Sequence, residues 1–334
     1  MSRIVHKMER SVKKTTRVLC VLMLSAPGWG QAGSPSPAQG VDQDQQQVTT
    51  LKVVTSLVAI SAVVKSKDGE AKTGLTKDDF VLKQDGKEVP IHYFSQGSEV
   101  PLSFALMVDT SGSQETFIGD ESLASDVFFE TMLGRKEDRA MLVQFDTSIL
   151  QLKNMTNSAS ALHFALSRMS QQASVKGGTL LYDAIYAVAK DALAKQTGRK
   201  AMVILSDGGD NGSRRSLPEA IEQAQRADVQ VYSILYSMRN SLSGANTGRT
   251  PEFDTGLGAL EKLSESTGGH VFTVSHTMSL RDIFAQIADD LRLQYELGYK
   301  PPPDTQPNSY HKLELKAKDK KLSVQARKGF FQPG

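Results

Sequence analysis

Read for the spacing of its hydrophobic and polar positions, the chain carries three successive patterns. From Leu51 the pattern is β. The run Val53 to Val64 is rich in Val, Ile and Ser, and Phe80-Val81-Leu82 and Val89 to Phe94 follow. Lys67-Asp68-Gly69-Glu70 and Gln84-Asp85-Gly86-Lys87 supply hairpin turns, and Thr76-Lys77-Asp78-Asp79 has the form of a capped single helical turn. Residues 102–295 then alternate short apolar runs, at 104–108, 140–145, 201–205 and 229–235, with helical patterns at 121–133, 158–170, 180–195, 217–227, 256–266 and 279–294. Wholly apolar strands alternating with helices predict an α/β fold: a doubly wound, mostly parallel sheet covered on both faces. Ser216 is placed to cap the helix with Pro218 near its start, and Gly268-Gly269 ends the helix before Val271.

After Gln294 the pattern returns to β. Leu313, Leu315 and Ala317, then Leu322, Val324 and Ala326, alternate with polar and basic residues on either side of Asp319-Lys320. That predicts a half-buried hairpin with a basic outer face. Neither β segment has enough strands for its own core. The expected organisation is therefore an α/β domain over 101–295, inserted into one small sandwich-like β-module built from 49–98 and 296–334.

The 334 residues carry a formal net charge of +2, but residues 1–17 hold six basic side chains against Glu9, leaving −3 for the remainder. Nothing in that balance suggests nucleic acid as a partner. The basic stretch runs into the apolar Val18 to Ala26, then Pro27-Gly28 and small residues. This order reads as a secretory signal peptide over 1–30, too short to span a bilayer, with an uncleaved anchor as the alternative. Residues 31–48, rich in Gln, Ser, Gly, Pro and Asp, read as a linker. Cys20 is the only cysteine and lies in the leader, which excludes structural disulfides and thiolate metal sites from the mature chain. A secreted or periplasmic protein with no membrane span in the mature chain is expected.

The candidate chemistry lies at the ends of predicted strands. Asp109-Thr110-Ser111-Gly112-Ser113 follows Phe104 to Val108, Gly177-Gly178-Thr179 precedes a helix, and Ser206-Asp207-Gly208-Gly209-Asp210 follows Met202 to Leu205. Read singly, each loop is a helix cap or a turn. Brought together, Asp109, Ser111, Ser113, Thr179 and Asp207 offer two carboxylates and three hydroxyls, with no thiol or imidazole. That donor set suits one hard divalent cation, Mg²⁺ or else Mn²⁺ or Ca²⁺. Doubly wound sheets place ligands at the carboxyl ends of strands, near the switch point, where Asp109 and Asp207 are expected.

This arrangement resembles the von Willebrand factor type A domain and its metal-ion-dependent adhesion site, over about residues 101–295. Asp109, Ser111 and Ser113 meet the D-x-S-x-S motif, Thr179 the separate threonine and Asp207 the third-loop aspartate. The resemblance implies that Ser111, Ser113 and Thr179 ligate directly, with Asp109 and Asp207 acting directly or through water. More narrowly, Gly74 to Phe80, Asp85-Gly86, Tyr295 to Tyr299 and Arg327 to Phe330 resemble a group of secreted bacterial proteins described only as VWFA-related.

The function expected is cation-dependent binding of an unidentified protein whose Asp or Glu completes the coordination shell. A metal-independent assembly component, pairing through strand edges at 49–98 or 310–327, is the alternative. A hydrolase finds less support. Asp109-Thr110-Ser111 interrupts the D-T-G pattern, no G-x-S-x-G surrounds the serines, and the histidines lack H-E-x-x-H spacing. Asp183 and Asp210 read as structural. Arg214 and Arg215 read as either a basic rim for an acidic partner or a solvated turn. Residues 236–256 read as a long polar loop.

Overall fold

The computed structural model describes residues 57–97, 100–111, 128–169, 178–236, 251–302, 306 and 308–332. The leader and linker expected over 1–48, Ser113 and Gly177 lie outside them.

The central sheet has six strands. β5 (Leu102–Asp109), β6 (Arg139–Phe145), β8 (Arg199–Ser206), β9 (Val229–Leu235) and β10 (Val271–Thr273) run parallel, and β7 (Ile149–Thr156) is antiparallel at the edge beside β6. The spatial order is β10-β9-β8-β5-β6-β7. The winding reverses between β5 and β8, so this pair is the topological switch point.

Strand residues alternate between two cores. Phe104, Leu106 and Val108 face a layer formed by residues 128–132, α1 (Ala159–Ser167) and α5 (Leu280–Arg292). Ala105 and Met107 face a layer formed by α2 (Leu181–Ala187), α3 (Leu217–Arg226) and α4 (Pro251–Thr267). β5 is buried along its full length, which is why its centre, 104–108, reads as an unbroken apolar run. The helical pattern over 180–195 is one segment in three geometries: α2, a π turn at Val188–Ala192 and a 3-10 turn at Leu193–Lys195. Ser216 caps α3 with a reciprocal Glu219 bond, as the sequence predicts.

Two four-stranded sheets flank this domain. One has the order β13-β1-β11-β4, formed by Ser323–Ala326, Val58–Lys65, Tyr295–Tyr299 and Tyr93–Gln96. The other has the order β14-β12-β2-β3, formed by Gly329–Phe331, Tyr310–Ala317, Phe80–Gln84 and Lys87–Glu88. Ile60, Leu82, Tyr295, Leu297, Leu313 and Phe330 share the core between them. Asp85 and Gly86 join β2 to β3 with φ of 49° and 81°, the positive values a two-residue type I′ turn requires.

The structure corrects two readings and bears out a third, the turn at Lys67 to Glu70, with only a short return limb. β12 and β13 do not form a hairpin: β12 pairs with β2 and β14, whereas β13 pairs with β1. Alternation is the same whether the chain folds back in one sheet or crosses to the facing one, so spacing could not distinguish them. The turn at Lys67 to Glu70 closes through Ser66 N to Glu70 O at 2.9 Å, but its return limb pairs only at the Lys65–Ala71 bridge. The polar stretch read to Gly256 becomes helix at Pro251, because proline is favourable in a first helical turn; residues 237–250 lie outside the described residues.

Candidate functional site

Four segments meet at the carboxyl end of the central sheet. Asp109 ends β5 and is buried. Its Oδ1 accepts the Ser111 N–H at 3.0 Å, and its Oδ2 accepts the Ser206 hydroxyl at 2.7 Å. Ser206 ends the adjacent strand β8 and its Oγ also accepts the Gly208 N–H at 3.0 Å. One hydroxyl thus fixes both the Asp109 carboxylate and the turn that carries Asp207. Asp207 Oδ1 in turn accepts the Gly209 N–H at 2.9 Å.

Thr179 is brought to the same end by Asn211. The Thr179 N–H donates to Asn211 Oδ1 at 2.7 Å, and the Asn211 N–H donates to Thr179 O at 3.1 Å. Leu180 N donates to Asp146 O at 2.9 Å, and Thr110 N donates to Phe145 O at 2.9 Å, which ties in the end of β6. Gly178 lies at φ +151°, and a Cβ there would stand 2.7 Å from Thr147 Cγ2. The glycine permits this close approach of the Thr179 loop to the β6–β7 turn.

The loop after β8 also caps α2 from a distance. The Tyr182 N–H donates to Asp210 Oδ1 at 3.1 Å and the Asp183 N–H to Ser213 Oγ at 3.0 Å. Asp183 reciprocates by accepting the N–H groups of Arg214 and Arg215 at 3.0 and 2.9 Å. Asp183 and Asp210 are therefore the structural groups the sequence predicts, although their partners lie across the site. Arg215 stacks on Tyr186 at 4.4 Å and pairs with Glu219 at 3.0 Å. Sequence reasoning missed Asn211 and Ser213, and missed the role of Ser206 as the hydroxyl that holds Asp109. Each acts through a hydrogen bond to a residue about 30 or more positions away, which local spacing does not register.

Burial is the largest influence on Asp109 and pushes its carboxyl up to about 6; hydrogen bonds from Ser111 and Ser206 oppose this, and the nearby Asp207 charge adds to it. Asp207 itself is partly exposed. Of the five predicted site residues, Asp109, Ser111, Thr179 and Asp207 lie on segments that meet at this pole, and Ser113 is outside the described residues. Among the described residues, no three His, Cys, Asp or Glu side chains gather as a metal-binding group. The pole offers paired carboxylates with hydroxyls instead.

A family model of the von Willebrand factor type A domain matches residues 105–286. Solved structures similar to the chain include the conserved hypothetical protein BatB from Bacteroides thetaiotaomicron, at 15% identity and a TM-score of 0.45, covering 57% of this chain and 97% of that one. The vWF domain of the type V pili tip protein Mfa5 from Porphyromonas gingivalis matches at 14% identity and a TM-score of 0.45, covering 57% and 94%. The PilB minor pilin from Streptococcus sanguinis matches at 17% identity and a TM-score of 0.43, covering 60% and 62%. A comparison with curated proteins finds no match. The family model spans more than half of the 334 residues, from within β5 to within α5, and the chain belongs to the von Willebrand factor type A family.

Proposed function

We propose that the protein binds another protein through one divalent cation at this pole, outside the cytoplasm. Ser111, Ser113 and Thr179 would hold the ion directly, and Asp109 and Asp207 directly or through water. The carrying observation is the Asp109 carboxylate: buried, raised by its burial, and close enough to Asp207 to feel its charge. Among the described residues no lysine or arginine pairs with Asp109. A hard cation would relieve both the desolvation and the like-charge repulsion, and an all-oxygen donor set suits Mg²⁺ over softer metals. Hydroxyl ligands are neutral, so two carboxylates leave room for a third anionic oxygen. An Asp or Glu from a partner would supply it.

When bound, the ion supplies electrostatic attraction for that carboxylate. The chain's own part is to hold oxygens in place, with Ser206 aiming Asp109 and Asn211 fixing the Thr179 main chain. Calorimetric titration of the purified protein with MgCl₂ and MnCl₂ tests the reading. Saturable one-site binding, lost in Asp109→Ala, is expected; no heat at millimolar metal, or identical binding by Asp109→Ala, would end it. Among the described residues no helix is long and apolar enough to cross a membrane.

A further inference from the structure

A second cluster of chemically capable side chains lies in the sandwich, at the end where the β2–β3 turn meets the start of β12. Ser309 immediately precedes β12 and His311 lies within it. The Gln332 N–H donates to Ser309 O at 2.9 Å, which continues the β12–β14 ladder one residue past Tyr310. Residues two apart on such a chain share a face, so Ser309 and His311 lie on the side that further along buries Leu313 and Leu315. Ser309 Oγ stands 2.7 Å from His311 Nε2, and His311 Nδ1 stands 2.8 Å from Asp85 Oδ2. A hydroxyl, an imidazole and a carboxylate are thereby connected in the order of a nucleophile, its base and the group that orients the base.

The neighbours fix the imidazole tautomer. The Tyr299 hydroxyl donates to Gln84 Oε1 at 2.8 Å, which turns Gln84 Nε2 toward Asp85 Oδ2 at 3.3 Å. Gln84 Nε2 and His311 Nδ1, 3.2 Å apart, therefore both donate to that carboxylate oxygen. Asp85 Oδ1 accepts the Lys312 N–H at 2.9 Å. Burial pushes the Asp85 carboxyl up, but hydrogen bonds from His311, the Lys312 N–H and Gln84 outweigh it and hold the group below its ordinary value. An ionised carboxylate only accepts, so neutral His311 carries its proton on Nδ1 and presents Nε2 as an acceptor. Nε2 then competes with Gln306 O for the Ser309 hydroxyl proton. The Asp85 side chain is 48% exposed, so its part is to orient His311 more than to stabilise charge.

These groups line a cavity of about 300 Å³, together with Lys87, Val89 and Pro302. The ladder also sets a main-chain donor beside the serine. Leu313 N donates to Lys328 O at 2.8 Å and Gln332 N to Ser309 O at 2.9 Å, so odd-numbered residues here face β14. Tyr310 therefore turns its N–H the other way, to the side where Lys312 bonds Asp85. The N–H that follows a nucleophilic serine can stabilise an acyl oxyanion, and Lys87 adds positive charge to the cavity wall. An ester asks less of such a site than an amide, because an alkoxide leaves far more readily than an amine anion. The volume lies at the lower end for small-molecule sites and suits a short acyl group. We propose that Ser309, His311 and Asp85 form a hydrolytic site for esters of short-chain carboxylic acids. Ser309 Oγ bonds to the ester carbon as its proton passes to His311 Nε2. The carbon–alkoxide bond breaks, and the alkoxide leaves with that proton. Water then adds to the acyl group, gives its proton to Nε2, and the acid departs as Ser309 recovers it.

Hydrolysis of p-nitrophenyl acetate and butyrate by the purified protein tests this, run in EDTA so that the cation pole plays no part. Parent kcat/KM should exceed that of Ser309→Ala by about 100-fold or more. Asp85→Asn should lower kcat by about tenfold or more while KM stays within about threefold, since Asp85 orients the base without touching the ester. A fluorophosphonate should label the parent at Ser309, located by peptide mass spectrometry. Hydrolysis no faster than in buffer, equal rates for Ser309→Ala and the parent, or an unchanged kcat in Asp85→Asn would overturn the proposal. If either variant does not fold, labelling of the parent decides: an adduct on Ser309 supports the site, and its absence overturns it.

Discussion

Asp109 carries the sharpest consequence at the scale of single residues. Its folded-state carboxyl titrates near 6 instead of 3.8, mainly through burial. The sign follows directly: between those values the folded chain keeps a proton that the unfolded chain has released, so stability from this group is present at low pH and lost as pH rises through 4 to 6. Above that window the buried charge costs on the order of 3 kcal/mol in the absence of metal. Asp109→Asn should therefore raise metal-free stability at pH 7.5 by about 1–3 kcal/mol in urea unfolding, while abolishing any rise in Tm with MgCl₂. Parent and variant with the same stability from pH 4 to 8 would contradict this. Asn211→Ala tests the clamp on Thr179: losing the acceptor of the Thr179 N–H should cost roughly 1–2 kcal/mol and weaken Mg²⁺ binding in the same titration.

Elements show which features were legible in the sequence. β5 and β8 announce themselves because burial on both faces demands consecutive apolar residues, and Asp109 and Asp207 stand out because each interrupts or follows such a run. β7 was not read as a strand: its residues are largely exposed or half-buried, and its pairing with β6 contains register shifts that spoil the alternation. The supposed hairpin of β12 and β13 failed for a different reason, since alternation records which face is buried but not which neighbour lies alongside. The junction of the Asp207 turn with α4 was equally invisible. Gly208 lies at φ +80°, where a Cβ would stand 2.4 Å from Gly256 O. Gly208→Ala should cost about 2–4 kcal/mol by denaturant unfolding and loosen the Asp207 turn along with it.

In the molecule as a whole, the α/β domain and the sandwich are joined by buried charge. Arg199, at the start of β8, donates from Nε to Glu296 at 2.6 Å, and from its other nitrogens to the carbonyls of Leu291, Gly97 and Gln294. Lys65 of β1 meets Asp290 of α5 at 2.8 Å. Removing one partner of a buried pair strands the other, so Arg199→Met should cost roughly 3–5 kcal/mol. Calorimetry should show one transition in the parent and a broadened or split one in the variant; an equally sharp single transition in the variant would show that the joint is not what couples the two parts. Nesting one domain inside the strand order of another also sets a timetable. Ser61 sits opposite Glu296, 235 residues further along the chain. At translation speeds of 5–20 residues per second, β1 waits on the order of 12–47 s before its neighbour has even been synthesised. The outer module can therefore close only after everything between its halves has been made, so the inserted domain is always synthesised before the frame around it is shut.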